Sequence, residues 1–365
     1  MKHHINIPIF IPHFGCPFQC IFCNQNKIAS VKGIPRTSDI VAVIEQYLSI
    51  YHGDGEDVEI AFFGGSFTAI DPKIQKEYLE VVQPYLANGR VGSIRVSTRP
   101  DFIDHSILSL LASYRVKTIE LGAQSLSNEV LKASGRGYKC TDVFKASHCI
   151  KSSGLKLGVQ LMIGLPEDNY NRDIDTARKV VGLKPDMVRI YPTLVIAQTP
   201  LERLFYENSY TPLSLAEAIN TCKEMLLIFQ ENGINVIRIG LHPGEELRSS
   251  GTVVAGPFHP SLGEMVEQEI FKEQALVAIK KYQEKFRVET DFILLVHEKD
   301  ISKMTGNKRV NIRYLQDLFG LKTLKVKAYS GLSRDTVALG PANETKPVFC
   351  LSREEFIRIR QINCF

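Results

Sequence analysis

The sequence predicts an α/β fold in which a parallel sheet carries helices on its outside, in the pattern of a partial barrel. Three observations support this. Short runs rich in Val, Ile or Phe alternate with helical patterns six or seven times over the first 245 residues, which is how parallel strands and their crossover helices read. The runs lie at 5–11, 58–63, 94–96, 118–121, 157–163, 187–190 and 236–239; they are apolar at most positions, as strands buried on both faces are. Their ends turn polar or glycine-rich at Gly64-Gly65-Ser66, Ser97-Thr98-Arg99, Gly122-Ala123-Gln124, Gly164-Leu165-Pro166 and Tyr191-Pro192-Thr193. Polar chemistry spread over many successive strand ends is the barrel pattern, whereas a doubly wound sheet concentrates it at one crossover.

The helices follow from local signals. Thr37-Ser38 can cap a helix over 39–51, with apolar residues at Ile40, Val43, Ile44, Tyr47 and Leu48. Asp71-Pro72 opens a helix that runs to residue 86, with proline at its first turn. Further helical stretches are 126–133, 141–153, 171–181 and 214–232, the last stopped by Gly233. Gly244, Gly251, Gly256, Pro257 and Pro260 then mark a loop-rich junction. Beyond it come a helix at 263–286, a strand at 292–296, a basic loop and helix at 303–319 and a strand at 323–328. The expected organisation is a barrel domain at 1–245 and a small basic α+β appendage at 246–365.

Composition bounds the function. With 44% hydrophobic and 23% charged residues the chain reads as folded and globular. No run of 18 apolar residues suggests a membrane span. The opening Met1-Lys2-His3-His4 and the stretch after it, broken by Pro8 and Pro12, have no small-residue cleavage site, so the expected compartment is the cytoplasm. The net charge of +4 is unevenly divided: residues 271–365 hold 18 Lys and Arg against 11 Asp and Glu, and the remainder is slightly acidic. A basic tail suits an anionic partner such as RNA, or is simply a solvated surface.

Eight cysteines are too few for a disulfide scaffold at this length. Cys140, Cys149, Cys222, Cys350 and Cys364 are scattered and read as incidental thiols. Cys16, Cys20 and Cys23 fall within eight residues, spaced C-x3-C-x2-C, directly after the first strand. Three thiolates on one loop suit a [4Fe–4S] cluster that leaves one iron without a protein ligand, and Phe18, Ile21 and Phe22 make the loop apolar enough to shield it. Zinc is the alternative; a closed zinc site needs a fourth ligand, for which His13 is the nearby candidate.

The loop resembles the signature of radical S-adenosylmethionine (SAM) enzymes. Phe62-Phe63-Gly64-Gly65-Ser66-Phe67, Ser97-Thr98-Arg99-Pro100-Asp101, Ile119-Glu120-Leu121-Gly122-Ala123-Gln124-Ser125 and Tyr191-Pro192-Thr193-Leu194-Val195-Ile196 resemble the radical SAM half of the Elongator catalytic subunit over roughly residues 5–245. The oxygen-independent coproporphyrinogen oxidases are more distantly similar. The resemblance implies a (β/α)6-type partial barrel and a [4Fe–4S] cluster held by Cys16, Cys20 and Cys23. It also implies SAM as cosubstrate, cleaved reductively to a 5′-deoxyadenosyl radical that takes hydrogen from a substrate, with electrons from a donor such as ferredoxin or flavodoxin. By the same resemblance Phe22 touches the adenine, Gly64, Gly65 and Ser66 meet the methionine amino group, and Gln124 binds SAM. Arg136 pairs with the SAM carboxylate, Gln160 stands at the ribose position, and Ile163 lines the adenine.

The chain also departs from these families. Ser97 replaces a SAM-contacting glutamate, Phe10 replaces the tyrosine of the porphyrinogen oxidases, and the first two cysteines are far closer together than in Elongator. Nothing after residue 245 resembles Elongator's acetyltransferase domain, so acetyl-CoA-dependent carboxymethylation of tRNA uridine is not implied. The favoured substrate is tRNA; the alternatives are an anaerobic coproporphyrinogen-type oxidase and a zinc-containing nucleic-acid-binding module. In the tail, Lys303, Lys308, Arg309 and Arg313, followed by Lys322, Lys325 and Lys327, suit phosphate contact, although no KH-type G-x-x-G loop or RNP-type aromatic pair accompanies them. His259 and His242 are candidate acid–base groups at the barrel mouth.

Overall fold

A computed structural model of the chain describes residues 5–16, 20–24, 33–51, 53–241, 245–286, 290–341 and 346–362. Phe18, His242 and Cys364 therefore lie outside the described residues. The chain divides into two compact units, Met1–Thr221 with Asn232–Pro260, and Cys222–Glu231 with Ser261–Phe365.

The first unit is built on β1 (Ile5–Ile11), β2 (Val58–Gly64), β3 (Ser93–Thr98), β4 (Val116–Gln124), β5 (Lys156–Ile163), β6 (Met187–Pro192) and β8 (Asn235–Ile239). They form one sheet in the order β1-β2-β3-β4-β5-β6-β8, every neighbouring pair parallel. The order never reverses, so there is no switch point of the doubly wound kind, and the sheet is a partial barrel. The helices α1 (Thr37–Ile50), α2 (Pro72–Ala87), α3 (His105–Ser113), α4 (Asn128–Ala133), α5 (Cys140–Ser152), α6 (Tyr170–Leu183), α7 (Pro200–Tyr206) and α8 (Leu215–Glu231) alternate with these strands. Ile7, Ile60, Phe62, Val96, Ile119, Leu121, Val159, Leu161 and Ile190 fill the buried core of the unit.

The helix starts follow capping chemistry. The Asp71 carboxylate accepts from Lys73 N with Pro72 at the first helical position, and Asn169 accepts from Arg172 N. The sequence reading lacked α3, whose start is set by Asp104, with Oδ1 2.8 Å from Ile107 N. Two short strands, β7 (Val195–Ile196) and β9 (Val253–Ala255), were also not anticipated; they pair antiparallel. Through that pairing, residues 246–260, read from sequence as part of the appendage, pack with the first unit. A further departure is β8, whose residues are exposed or half-buried, because it ends the sheet with a neighbour on one side only. The short helix α9 (Glu245–Arg248) precedes β9.

The second unit contains α10 (Leu262–Lys285), β10 (Asp291–Val296), α11 (Ile301–Thr305), α12 (Val310–Phe319), β11 (Thr323–Ala328), β12 (Thr336–Pro341), β13 (Phe349–Ser352) and α13 (Arg353–Ile362). Its sheet runs β11-β10-β12-β13. Gln274, on α10, donates through Nε2 to Leu351 O at 2.7 Å and accepts from Arg353 Nε at 3.1 Å, which ties the helix to the sheet's far side.

Replacing Asp104 by Ala removes the cap of α3 and is expected to cost about 1 kcal/mol in a denaturant titration, with the slope unchanged.

Candidate active site

The strand ends of the first unit are held together by close backbone contacts. Gly64 has φ +100°. A Cβ on Gly65 would stand 2.1 Å from Phe14 O and 2.6 Å from Ile11 O, so only glycine lets the turn after β2 approach the end of β1. Ser66 N donates to Phe14 O at 2.9 Å. The Ser66 hydroxyl lies 2.9 Å from Thr98 Oγ1 and accepts from Arg99 N at 3.2 Å, so this side chain locks the end of β2 to the end of β3.

The cysteine loop packs into this rim. Cys20 is buried, and Cys16 and Cys23 are half-buried. Ile21 N donates to Ser134 O at 3.3 Å, Leu201 N donates to Ile21 O at 2.9 Å, and Asn24 Nδ2 donates to Ala197 O at 3.1 Å. Phe22 packs beside the cluster of Val195, Leu201 and Tyr210. Among the described residues no three His, Cys, Asp or Glu side chains converge as around a single metal ion. A cube distributes its thiolate ligands over different irons and does not require that convergence.

Arg136 is the centre of the arrangement. Its guanidinium is buried and donates from Nη1 to Cys20 Sγ at 3.0 Å, from Nη2 to Gly122 O at 2.6 Å and from Nε to Tyr138 Oη at 2.9 Å. Tyr138 Oη in turn donates to Gly122 O at 2.7 Å, and the guanidinium carbon lies 4.9 Å from the Tyr138 ring centroid. Arg99 reaches the same place, donating to Arg136 O at 2.6 Å while its other donors hold Asp101. Burial opposes the charge on Arg136, but the Tyr138 and Cys20 groups outweigh it and keep the guanidinium ionised. Burial and the neighbouring Cys20 push the Cys16 thiol up, and Arg99 and Arg136 pull it back down. Among the described residues Arg136 has no carboxylate partner within ion-pair distance. A buried cation beside thiols and without a carboxylate fits an anionic thiolate cluster and a carboxylate-bearing ligand.

Gln124 ends β4 in a left-handed conformation, φ +65°, at a break in the β4–β5 register, and its Oε1 accepts from Gln160 Nε2 at 2.9 Å. The two glutamines are thus brought together. Ser97 Oγ is buried without a hydrogen-bond partner among the described residues. Ile163 is placed differently. Its side chain is fully buried on the face of β5 that alternates with Gln160, and its carbonyl accepts from Thr193 N and Thr193 Oγ1 at 3.0 and 2.8 Å. His259 is half-buried after β9.

The sequence reading passed over a second feature. The strand face opposite the apolar core carries Glu59, Arg95, Glu120 and Arg189 on four different strands. Arg95 Nε donates to Glu59 Oε2 at 2.7 Å and Nη1 to Glu120 Oε2 at 3.3 Å; Arg189 Nε stands 3.3 Å from the same Glu120 oxygen. Thr118 Oγ1 donates to Glu59 Oε1 at 3.1 Å, and Arg189 lies 4.9 Å over the Phe63 ring. The available signal was a charged residue at an alternating position within each of four otherwise apolar runs. Tyr138, only two residues from Arg136, carried no such signal.

Two domain profiles adjoin along this chain. "Radical SAM superfamily" matches residues 10–180, and "Radical_SAM C-terminal domain" matches residues 185–272. The chain belongs to the radical SAM superfamily. Among curated relatives, "tRNA uridine(34) acetyltransferase" of Methanocaldococcus jannaschii is 31% identical over 244 residues, covering 56% of this chain and 45% of that protein. Human "Elongator complex protein 3" is 28% identical over 200 residues, covering 48% of this chain and 36% of that protein. The chain thus spans less than half the length of these two relatives. Among solved structures, the archaeal Methanocaldococcus infernus Elp3 with an N-terminal deletion superposes with TM-score 0.60 at 24% identity, covering 73% of this chain and 62% of that one, a likeness of fold. No helix among the described residues is long and apolar enough to cross a membrane.

Glu120→Ala is expected to destabilise the fold by about 3 kcal/mol in equilibrium denaturation, because it leaves Arg189 in the interior without its carboxylate partner and Arg95 with Glu59 alone. A second expectation concerns Asp168, in the turn after β5, and Asp173, in the first turn of α6. Burial raises Asp168 from 3.8 to about 6, and burial together with Asp168 raises Asp173 well above its ordinary value. Carboxyls with raised folded pKa values stabilise the fold fully below pH ~3.8 and lose that contribution as pH rises through about 6. Asp168→Asn is therefore expected to flatten the decline in stability between these pH values, as read from melting temperature against pH.

Proposed function

We propose that this chain is a radical SAM enzyme acting on RNA, with tRNA as the favoured substrate. The observation that carries the first part is the buried contact of Arg136 with Cys20, on a loop that also holds Cys16 and Cys23. In this reading Cys16, Cys20 and Cys23 hold a [4Fe–4S] cluster. When bound, the cluster and SAM supply reductive cleavage of a carbon–sulfur bond to methionine and a 5′-deoxyadenosyl radical, with one electron from a donor such as ferredoxin or flavodoxin.

The chain's own residues bind and orient. Arg136 balances the charge of the thiolates and offers its guanidinium to a carboxylate, for which its planar fork is suited. Gly64 and Gly65 bring backbone to the rim. The Gln124–Gln160 pair presents amides from adjacent strands, and Phe22 and Ile21 cover the loop with apolar surface. Glu59, Arg95, Glu120 and Arg189 keep the floor below the rim polar and rigid. The unpartnered Ser97 hydroxyl leaves one hydrogen-bonding group for a ligand. RNA as substrate class is supported by the tRNA uridine(34) named for the Methanocaldococcus jannaschii relative and by the basic C-terminal segment of this chain.

The test is anaerobic reconstitution with iron and sulfide, followed by reduction with SAM present. The wild type is expected to form 5′-deoxyadenosine, and Cys20→Ala to form none. Arg136→Met is expected to raise the SAM concentration needed for half-maximal turnover by tenfold or more, since it removes one side of a buried charged contact worth about 2–5 kcal/mol. Zinc in place of iron, with no product, would refute the reading. Mass spectrometry of tRNA nucleosides from cells with and without the gene tests the substrate: one modified nucleoside should disappear.

A further inference from the structure

The second unit holds an arrangement of its own around the turn after α11. Between the neighbouring parallel strands β10 and β11 the chain makes two helices, α11 and α12, joined by the tight turn Gly306-Asn307-Lys308-Arg309; β12 lies antiparallel on the other side of β10. A strand–helix–turn–helix–strand unit with a four-residue turn between its helices is the framework with which KH modules clamp a single-stranded backbone. Their turn reads G-x-x-G. Here the first glycine is Gly306, φ +75°, and the fourth position is Arg309, which adopts φ +63°, the left-handed conformation a glycine would take. Lys308 before it is also left-handed, φ +50°. The sequence hid this turn because arginine occupies a glycine's conformation.

The turn is held in place. Asn311, buried just after it, donates through Nδ2 to Gln268 O at 2.9 Å and to Lys303 O and Met304 O at 3.2 Å. Arg309 N donates to Gly306 O at 3.0 Å, Asn307 N to Gln268 Oε1 at 3.2 Å and Arg313 Nη2 to Lys308 O at 2.5 Å. The buried amide thus ties the start of α12 to α10 and to the end of α11, and holds the backbone turn that presents the two left-handed cations.

Charge identifies the occupant. Residues 303–327 hold seven Lys and Arg and one acid, Asp317. Lys303 is engaged by Asp300, Glu267 and Asp335. Lys308, Arg309 and Arg313 at the turn, and Lys325 and Lys327 on the edge strand β11, are exposed, and among the described residues none of the five has an ion-pair partner. From the turn an exposed stripe of Val310, Tyr314 and Leu318 follows α12 at i, i+4 and i+8. Cations presented by an anchored turn, beside an apolar and aromatic stripe for unstacked bases, suit a single strand better than a duplex, whose bases are stacked inside.

We infer that the turn Gly306-Asn307-Lys308-Arg309, with Arg313 and the exposed face of α12, is a KH-like docking surface for single-stranded RNA. The choice of RNA over DNA rests on the Proposed function; the docking of a single strand at this turn rests on the second unit alone.

The test uses the full-length protein without SAM or reductant, so it is independent of whether a cluster forms. A fluorescein-labelled single-stranded RNA of about 12 nucleotides is titrated and read by anisotropy over a salt series starting near ~50 mM. The probe is expected to bind, and a blunt duplex of the same length to bind at least about tenfold more weakly. The double variant Lys308→Ser, Arg309→Gly places glycine at the left-handed position, so its melting temperature should not fall. Its affinity should drop about tenfold or more, and its log–log salt slope should shrink by about 1.4, the equivalent of two single-strand phosphate contacts. No binding at the lowest salt, equal binding of duplex, or unchanged affinity in a folded double variant would each overturn the inference. Failure to form 5′-deoxyadenosine would instead count against the Proposed function and leave this result standing.

Discussion

A buried guanidinium needs a reason to be buried. Arg136 sits among the Gly122 carbonyl oxygen, a tyrosine hydroxyl and the thiol of Cys20, with no carboxylate beside it among the described residues. Placing a cation there costs desolvation energy that neutral acceptors offset only in part. The rim of the barrel is organised around meeting that cost. Tyr138 supplies an oxygen and a ring face, Arg99 fixes the backbone of Arg136, and the cysteine loop closes over Arg136 Nη1. Thiolates bound to a cluster, and a carboxylate-bearing cosubstrate, would complete the balance.

The same logic divides the barrel into layers. One face of the strands is apolar and packs in the core. The opposite face carries a charged cluster in which Glu120 lies between Arg95 and Arg189. Buried ion clusters of this kind add little net stability, but removing one member leaves unpaired charge, so the cluster fixes one register of four strands. That rigidity keeps the rim residues in place above it. Glycines at the end of β2 then let the chain turn tightly enough for the cysteine loop to reach Arg136.

Much of this was legible in the sequence and some was not. The barrel strands were visible because a strand buried on both faces is apolar almost throughout, and the three cysteines were visible because their spacing is short and local. Arg136 was found only through resemblance; nothing in Gly135-Arg136-Gly137 says that the side chain is buried. The charged cluster was obscured because Glu59, Arg95, Glu120 and Arg189 belong to strands distant in sequence and become partners only when the sheet forms. Ile163 shows the converse. Its place in the strand was legible, but the face it occupies is set by alternation, which buries the side chain away from Gln160. In the second unit the turn at Gly306 escaped notice because residue type conceals backbone conformation: Arg309 holds a dihedral that sequence rules reserve for glycine.

In the proposed enzyme the thiolates beside Arg136 would hold a cluster with an open iron that SAM reaches. The most direct measurement is the electron paramagnetic resonance spectrum of the anaerobically reconstituted, reduced protein with and without SAM. The reduced protein is expected to give a [4Fe–4S]+ signal whose g values shift when SAM is added, with the shift lost in Arg136→Met at the same SAM concentration. A cluster signal indifferent to saturating SAM in the wild type would contradict it.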